Sequence, residues 1–219
     1  PPKLKNRTTK KIKYFDNDEL KKFLSYLDNL DDTMDNQLHA TMYRFLLATG
    51  LRVGECLALS WSDIDFNNET VSVYKTIVQT ANKTERIQSS AKTKESNRVV
   101  SLDRETITLL KLWKERQNNK TISLKDKLVF SVSEKFCTYV KELYTLQNHF
   151  KNANVSNIGF HGFRHTHASL LMNADVNPKE IQLRLGHADY SITMNTYSHL
   201  AKDKKKDTAE KFSNILKAL

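Results

Sequence analysis

Residues 48–65 read ATGLRVGECLALSWSDID, and the periodicity of the chain changes across them. Just upstream, Leu38, Met42, Phe45 and Leu46 recur at helical spacing, which predicts a helix over 35–49 stopped by Gly50. Leu51–Leu59 reads as a short third helix. Beyond it the period becomes that of a strand: Val71, Val73 and Ile77-Val78, then an extended pattern over Arg86–Ser90, then Val99-Val100. The turn between the last two falls within Lys92–Asn97. Working back toward the start, Leu20, Phe23, Leu24, Leu27 and Leu30 make 16–30 an amphipathic helix that Asp16 can cap. Working forward, helices are expected at 103–118, 133–151, 162–173, 178–185, 191–196 and 206–218. No internal repeat is visible. The expected fold class is mainly α with a small three-stranded antiparallel sheet inserted after the third helix, an α+β domain.

The chain has 219 residues, 39% of them hydrophobic, enough for one domain or two small ones with a real core. Thirty-five Lys and Arg face 25 Asp and Glu, and a net charge of +10 favours a polyanionic partner, nucleic acid or an acidic membrane surface. No run of about 18 apolar residues exists, and PPKLKNRTTKK is no secretory signal, so a soluble intracellular protein is expected. Cys56 and Cys137 lack the spacing of a zinc site or a disulfide scaffold and read as buried free thiols. With 5 Gly, and no match to GxxxxGK[ST] or GxGxxG, a nucleotide-binding phosphate loop is excluded.

The charge is unevenly placed. Lys3, Lys5, Arg7, Lys10, Lys11 and Lys13 stand without an acid among them, so residues 1–13 read as a basic interdomain linker following a domain upstream. Next come Asp16, Asp18, Glu19, Asp28, Asp31, Asp32 and Asp35 against Lys21 and Lys22, a face that should turn away from a polyanion.

The reactive side chains concentrate late. Residues 159–200 read GFHGFRHTHASLLMNADVNPKEIQLRLGHADYSITMNTYSHL and hold His161, His165, His167, His187 and His199, five of the seven histidines. On a helix, His161, Arg164 and His165 share one face, which should be cationic or nearly so. His161 and His165 have a helical zinc-ligand spacing, but Gly162 stands where a zincin has Glu, and Arg164 would repel a dication. An Arg beside a His suits a phosphodiester better, because guanidinium grips two oxygens and stays charged. Arg52, just after Thr49-Gly50, offers a second such group.

Taken together, ATGLRVGE, LSWSDID, HGFRHTHAS, LRLGH and a Tyr ten residues past the last of these resemble the tyrosine recombinases, the phage integrase family. The order and spacing match, over essentially everything from residue 14 onward. SAKTKESNRVVSL and NTYSHL resemble integrases of Gram-positive temperate phages and conjugative transposons. The resemblance implies a catalytic domain over 14–200, with Arg52 as the first family arginine, His161 and Arg164 as HxxR, His187 after LG, and Tyr197 as nucleophile. It also implies a hairpin lysine: Lys92, which precedes the turn, with Lys94 as the alternative. Tyr190 is the decoy tyrosine. Glu55 should orient Arg52, Trp61 and Leu57 read as core, and His165 reads as packing or as a support behind the site residues.

A Tyr hydroxyl of pKa about 10 needs cationic surroundings and a proton acceptor to attack phosphorus. Attack gives a 3′-phosphotyrosyl link and frees a 5′-oxygen that Lys92 can protonate. No cofactor and no metal enters this chemistry. The family further implies double-stranded DNA attachment sites as substrate, a homo-tetramer on DNA with a monomer in isolation, and an excisionase or host DNA-bending protein as partner, with no membrane. The tail, 201–219, carries Lys202–Lys206 and an amphipathic segment (Phe212, Ile215, Leu216, Leu219) that would pack on a neighbouring protomer or fold back in cis. A type IB topoisomerase would use the same transesterification, although LGH and LSWSDID favour a recombinase. A catalytically silent DNA-binding regulator would be marked by loss of Tyr197 or an arginine, and all are present.

Overall fold

The computed structural model describes residues 12–79, 85–89, 97–120, 127–132, 137–189, 212–214 and 216–217. Helix α1 (Asn17–Asp28) begins where its cap dictates: Asp16 Oδ1 accepts the N–H groups of Asp18 and Glu19 at 3.0 and 2.8 Å. Thr33 caps α2 (Met34–Thr49) in the same way, and Gly50 ends it in the left-handed region at φ 66°, its N–H bonding the Leu46 carbonyl. A short α3 (Val53–Leu57) and a 3₁₀ turn (Trp61–Asp63) follow.

Helix α2 is the axle of the domain. Leu38, Met42, Tyr43, Phe45 and Leu46 are all at most 2% exposed, because α1, α4 (Arg104–Lys120) and α6 (Gly159–Asn173) pack around it. Phe15, Phe23, Tyr43, Phe150 and Phe163 form an aromatic core, with Phe23 to Phe150 centroids at 5.3 Å and Tyr43 to Phe163 at 5.6 Å. A second, smaller cluster of Ala168, Met172, Ile181 and Leu185 joins α6 to α7 (Pro178–Leu185).

Among the described residues the strands are β1 (Ile64–Asp65), β2 (Thr70–Val73), β3 (Lys75–Gln79), β4 (Glu85–Ser89) and β5 (Arg98–Ser101). The α+β class and its antiparallel character match the expectation, but the strands divide into two sheets. One has the order β1-β2-β5, with Val71 opposite Val100; the other is the hairpin β3-β4, with Ile77 opposite Ile87. The division falls at Tyr74, where a buried anchor interrupts the run. Asp63 accepts Tyr74 Oη at 2.6 Å, Lys75 Nζ at 2.8 Å and the Ser60 N–H at 2.7 Å. This pins the chain between β2, whose Val71 and Val73 face the core, and the more open β3.

Other boundaries shift. The helix expected over 133–151 is α5 (Tyr139–Asn152), since Thr138 is extended at φ −76°, ψ 141°; α6 starts at 159 rather than 162. Cys56 is buried as expected, while Cys137 is only partly so, and burial pushes its thiol up to about 12. The segment 191–196 and the turn in 92–97 up to residue 96 lie outside the described residues, and of 206–218 only 212–214 and 216–217, which are helical, lie within them. No helix among the described residues is long and apolar enough to cross a membrane.

Candidate active site

Three chain segments meet at the end of α2. The first is the turn Gly50-Leu51-Arg52. Gly50 must be glycine on two counts: its φ is positive, and a Cβ there would stand 2.6 Å from His167 Cδ2 and 2.7 Å from Leu185 Cδ2. Arg52 is the extended residue before α3; its N–H and Nη1 donate to the two oxygens of Glu55 at 2.9 and 3.0 Å, which leaves the side chain 46% exposed. Glu55 thus orients Arg52, as expected. Its own carboxyl is buried, which alone would raise its pKa, but bonds and charge from Arg98, then Arg52, hold it below the usual value.

The second segment is α6. His161 is exposed on its first turn. Arg164, one turn on, is 1% exposed and sends Nη1 inward to the Gly50 carbonyl at 3.0 Å. His165 meets His161 edge to face, with centroids 4.5 Å apart. His167 is buried against the end of α2: its Nδ1 bonds the Leu47 carbonyl at 2.7 Å and its Nε2 accepts from Arg184 Nε at 3.1 Å, which defines the Nδ1–H tautomer.

The third is the end of α7. Asn177 caps its start, Pro178 opens its first turn, and Gly186 closes it at φ 66°. His187 N–H then reaches back to the Gln182 carbonyl at 3.1 Å, while Gln182 Nε2 donates to the His187 carbonyl at 2.9 Å. LRLGH is therefore a helix stop that fixes the backbone of His187 from both sides.

One or both arginines bear on each of three imidazoles. Desolvation, then the Arg164 and Arg52 guanidiniums and the His161 and His165 rings, push His187 down to about 4. Desolvation followed by the same two arginines lowers His161, and desolvation, His161 and Arg164 take His165 to about 4. The α6 face thus carries its fixed charge on Arg164, while desolvation and the guanidiniums work against protonation of the imidazoles beside it.

Of the six sequence-expected residues, Arg52, His161, Arg164 and His187 come together. Lys92 and Tyr197 lie outside the described residues, as do Lys94, Tyr190 and His199. Sequence reasoning passed over Arg98 and Arg184, which tie β5, α6 and α7 together. An arginine in the edge-strand text SNRVVSL reads as solvated. The signal that finds it is the burial of Glu55, which needs a second cation.

The chain belongs to the phage integrase family, whose model matches residues 13–204. It is 32% identical to the ICEBs1 integrase of Bacillus subtilis (strain 168) over 95% of this chain and 56% of that protein. It is 29% identical to the transposase of transposon Tn916 from Enterococcus faecalis over 72% of this chain and 41% of that one, so the chain spans about half the length of these curated relatives. A solved Tn1549 transposon integrase in complex with transposon right-end DNA has the same fold, with a TM-score of 0.82 at 22% identity over 96% of this chain and 69% of that one. The catalytic domain of bacteriophage HP1 integrase superposes with a TM-score of 0.59 at 20% identity over 92% of this chain and 95% of that one.

Proposed function

We propose that this chain is the catalytic domain of a site-specific DNA recombinase that integrates or excises a mobile element through a 3′-phosphotyrosyl intermediate. The observation that carries the reading is the meeting of two anchored arginines with the HxxR and LGH histidines at one end of α2: Arg164 is fixed on the Gly50 carbonyl, Arg52 on Glu55, and the backbone of His187 on Gln182. Two guanidiniums suit the non-bridging oxygens of a phosphodiester and the extra charge of a pentacoordinate phosphorane, where one placed donor is worth about 10²–10³ in rate. The substrate is double-stranded DNA at attachment sites, in keeping with the DNA held by the Tn1549 integrase.

In this reading Tyr197 Oη bonds to phosphorus as the P–O5′ bond breaks. The phenolic proton passes to a neutral imidazole, and O5′ takes a proton from Lys92. The phosphotyrosyl bond keeps the energy of the diester, so attack by a second 5′-hydroxyl reverses the step. Every role falls to a side chain, and the mechanism draws on neither metal nor nucleotide. The finer organisation is part of the same proposal: a basic linker at 1–13, a catalytic domain at 14–200, and a tail at 201–219 that packs on a neighbouring protomer in a tetramer on DNA. Work in the bacterial cytoplasm at the nucleoid, with an excisionase or host DNA-bending protein, completes it.

Incubation with a nicked attachment-site duplex tests the reading. The wild type is expected to yield a denaturant-stable protein–DNA adduct and Tyr197→Phe none. An adduct from Tyr197→Phe would displace the nucleophile, and no adduct from the wild type on any cognate site would end the enzymatic reading. A 5′-bridging sulfur at the scissile phosphate leaves without a proton, so it should rescue Lys92→Ala; rescue of Lys94→Ala instead moves the general acid to Lys94.

A further inference from the structure

Glu55 is held from two directions. Arg52 approaches it from the start of α3, and Arg98 reaches it from β5 with a two-pronged grip, Nη1 to Oε1 at 3.1 Å and Nη2 to Oε2 at 2.8 Å. Both side chains of the Arg98–Glu55 pair are 7% exposed, so this is a desolvated ion pair and not a surface contact. The remaining donor, Arg98 Nε, bonds the Arg184 carbonyl in the last turn of α7 at 2.9 Å. Gly186 lies directly on the guanidinium: a Cβ there would come within 2.9 Å of Arg98 Nη1. One planar group thus touches the carboxylate that orients Arg52 and the helix stop that presents His187.

From this we infer that Arg98 is a positioning residue for DNA cleavage, setting Arg52 and His187 in a common frame through Glu55 and the α7 terminus. The inference rests on the recombinase reading above. A lysine cannot replace Arg98 fully: its single ammonium can neutralise Glu55 but cannot span both carboxylate oxygens and the Arg184 carbonyl in one plane. A small side chain at 98 would leave Glu55 with Arg52 alone, so the Arg52 guanidinium would turn toward the buried carboxylate and away from the open side of the site.

The test compares wild type, Arg98→Met and Arg98→Lys. Cleavage is measured as the single-turnover rate of adduct formation at saturating DNA, and DNA affinity is measured separately in a Tyr197→Phe background. Arg98→Met is expected to lower the cleavage rate about 10- to 100-fold and Arg98→Lys about fivefold, with affinity changed less than about threefold. In a Glu55→Gln background the Arg98→Lys substitution should cost clearly less than it does alone, because the part of its effect that reaches Arg52 runs through that carboxylate and only the part through the α7 terminus remains. A purely structural arginine would instead lower Tm and affinity together with rate, and its cost would persist undiminished in the Glu55→Gln background. Rates within about twofold of wild type for both variants, or full additivity with Glu55→Gln, overturn the inference. An arginine-selective ¹⁵N spectrum decides the matter without cleavage. The Arg52 side-chain N–H signal should shift in Arg98→Lys, and an unchanged signal overturns the inference. Absence of any adduct from wild type counts against the recombinase reading, and the spectrum still rules on Arg98.

Discussion

Between α2 and α5 the chain builds a second cluster from much the same side chains as the candidate site. His39 Nε2 pairs with Glu142 Oε2 at 2.9 Å, Tyr26 Oη bonds His149 Nδ1 at 2.9 Å, and Tyr43 stacks on His39. There the two histidines are each paired with a neighbouring side chain behind walls of Phe23 and Phe163. At the Arg52 end the satisfaction is one-sided. Glu55 serves two arginines, Arg164 takes a main-chain oxygen, and His161 and much of Arg52 remain open to solvent. The contrast teaches that burial of titratable groups does not by itself mark a site. What marks it is a cation, Arg52, whose inner hydrogen bonds fix it while an outer face stays available to an anion.

Breaking the open cluster should have the largest effect. Arg164→Gln is expected to lower adduct formation about 10³-fold with DNA binding largely kept, as a gel-shift assay run beside the cleavage assay would show; equal losses in both would make Arg164 a binding residue only. Breaking the closed cluster should act on stability alone. Phe163→Ala opens its aromatic wall and should cost about 3–5 kcal/mol in urea denaturation.

Acid should separate the two more finely. His149, like His165, His167 and His187, is lowered to about 4, in its case by burial, then His39, against an opposing pull from Glu142. Each stays neutral in the folded chain while the unfolded chain protonates it near 6.5, so Tm should fall as pH drops from about 6.5 toward 4. In the proposed complex, DNA would bring phosphate charge only to the open cluster. Imidazole titration by NMR should therefore show His187 and His165 moving up on DNA and His149 staying put; a matching rise at His149 would erase the distinction. The smallest effect belongs to Tyr43→Phe. Its hydroxyl is buried with no hydrogen-bond partner among the described residues, so removal should leave stability unchanged or raise it by up to about 1 kcal/mol in the same denaturation assay.

Much of this was legible in the chain itself. The caps at Asp16, Gly50 and Gly186 and the 3.6-residue spacing of α1 and α2 place the helices within a few residues, because those signals are local. The motif order placed Arg52, His161, Arg164 and His187, and the structure brings them to one point. The division of the sheet was not legible, since it depends on Asp63 collecting Tyr74 and Lys75, a contact between segments. The same holds for Arg98, whose importance appears only once Glu55 is known to be buried. The downward pull on the histidines was not legible for a related reason: spacing reports which groups share a face, and only packing reports how far that face is desolvated.

The bond from Arg164 to the carbonyl of Gly50 has one more implication, for how this domain tolerates change. A main-chain oxygen has no side chain to substitute, so point changes in the neighbouring text cannot delete the acceptor. Length is a different matter. A single residue inserted between Thr49 and Arg52 would carry that oxygen, and Arg52 with it, out of register. Variation of the domain is thereby steered toward substitution elsewhere and away from insertion or deletion at this turn.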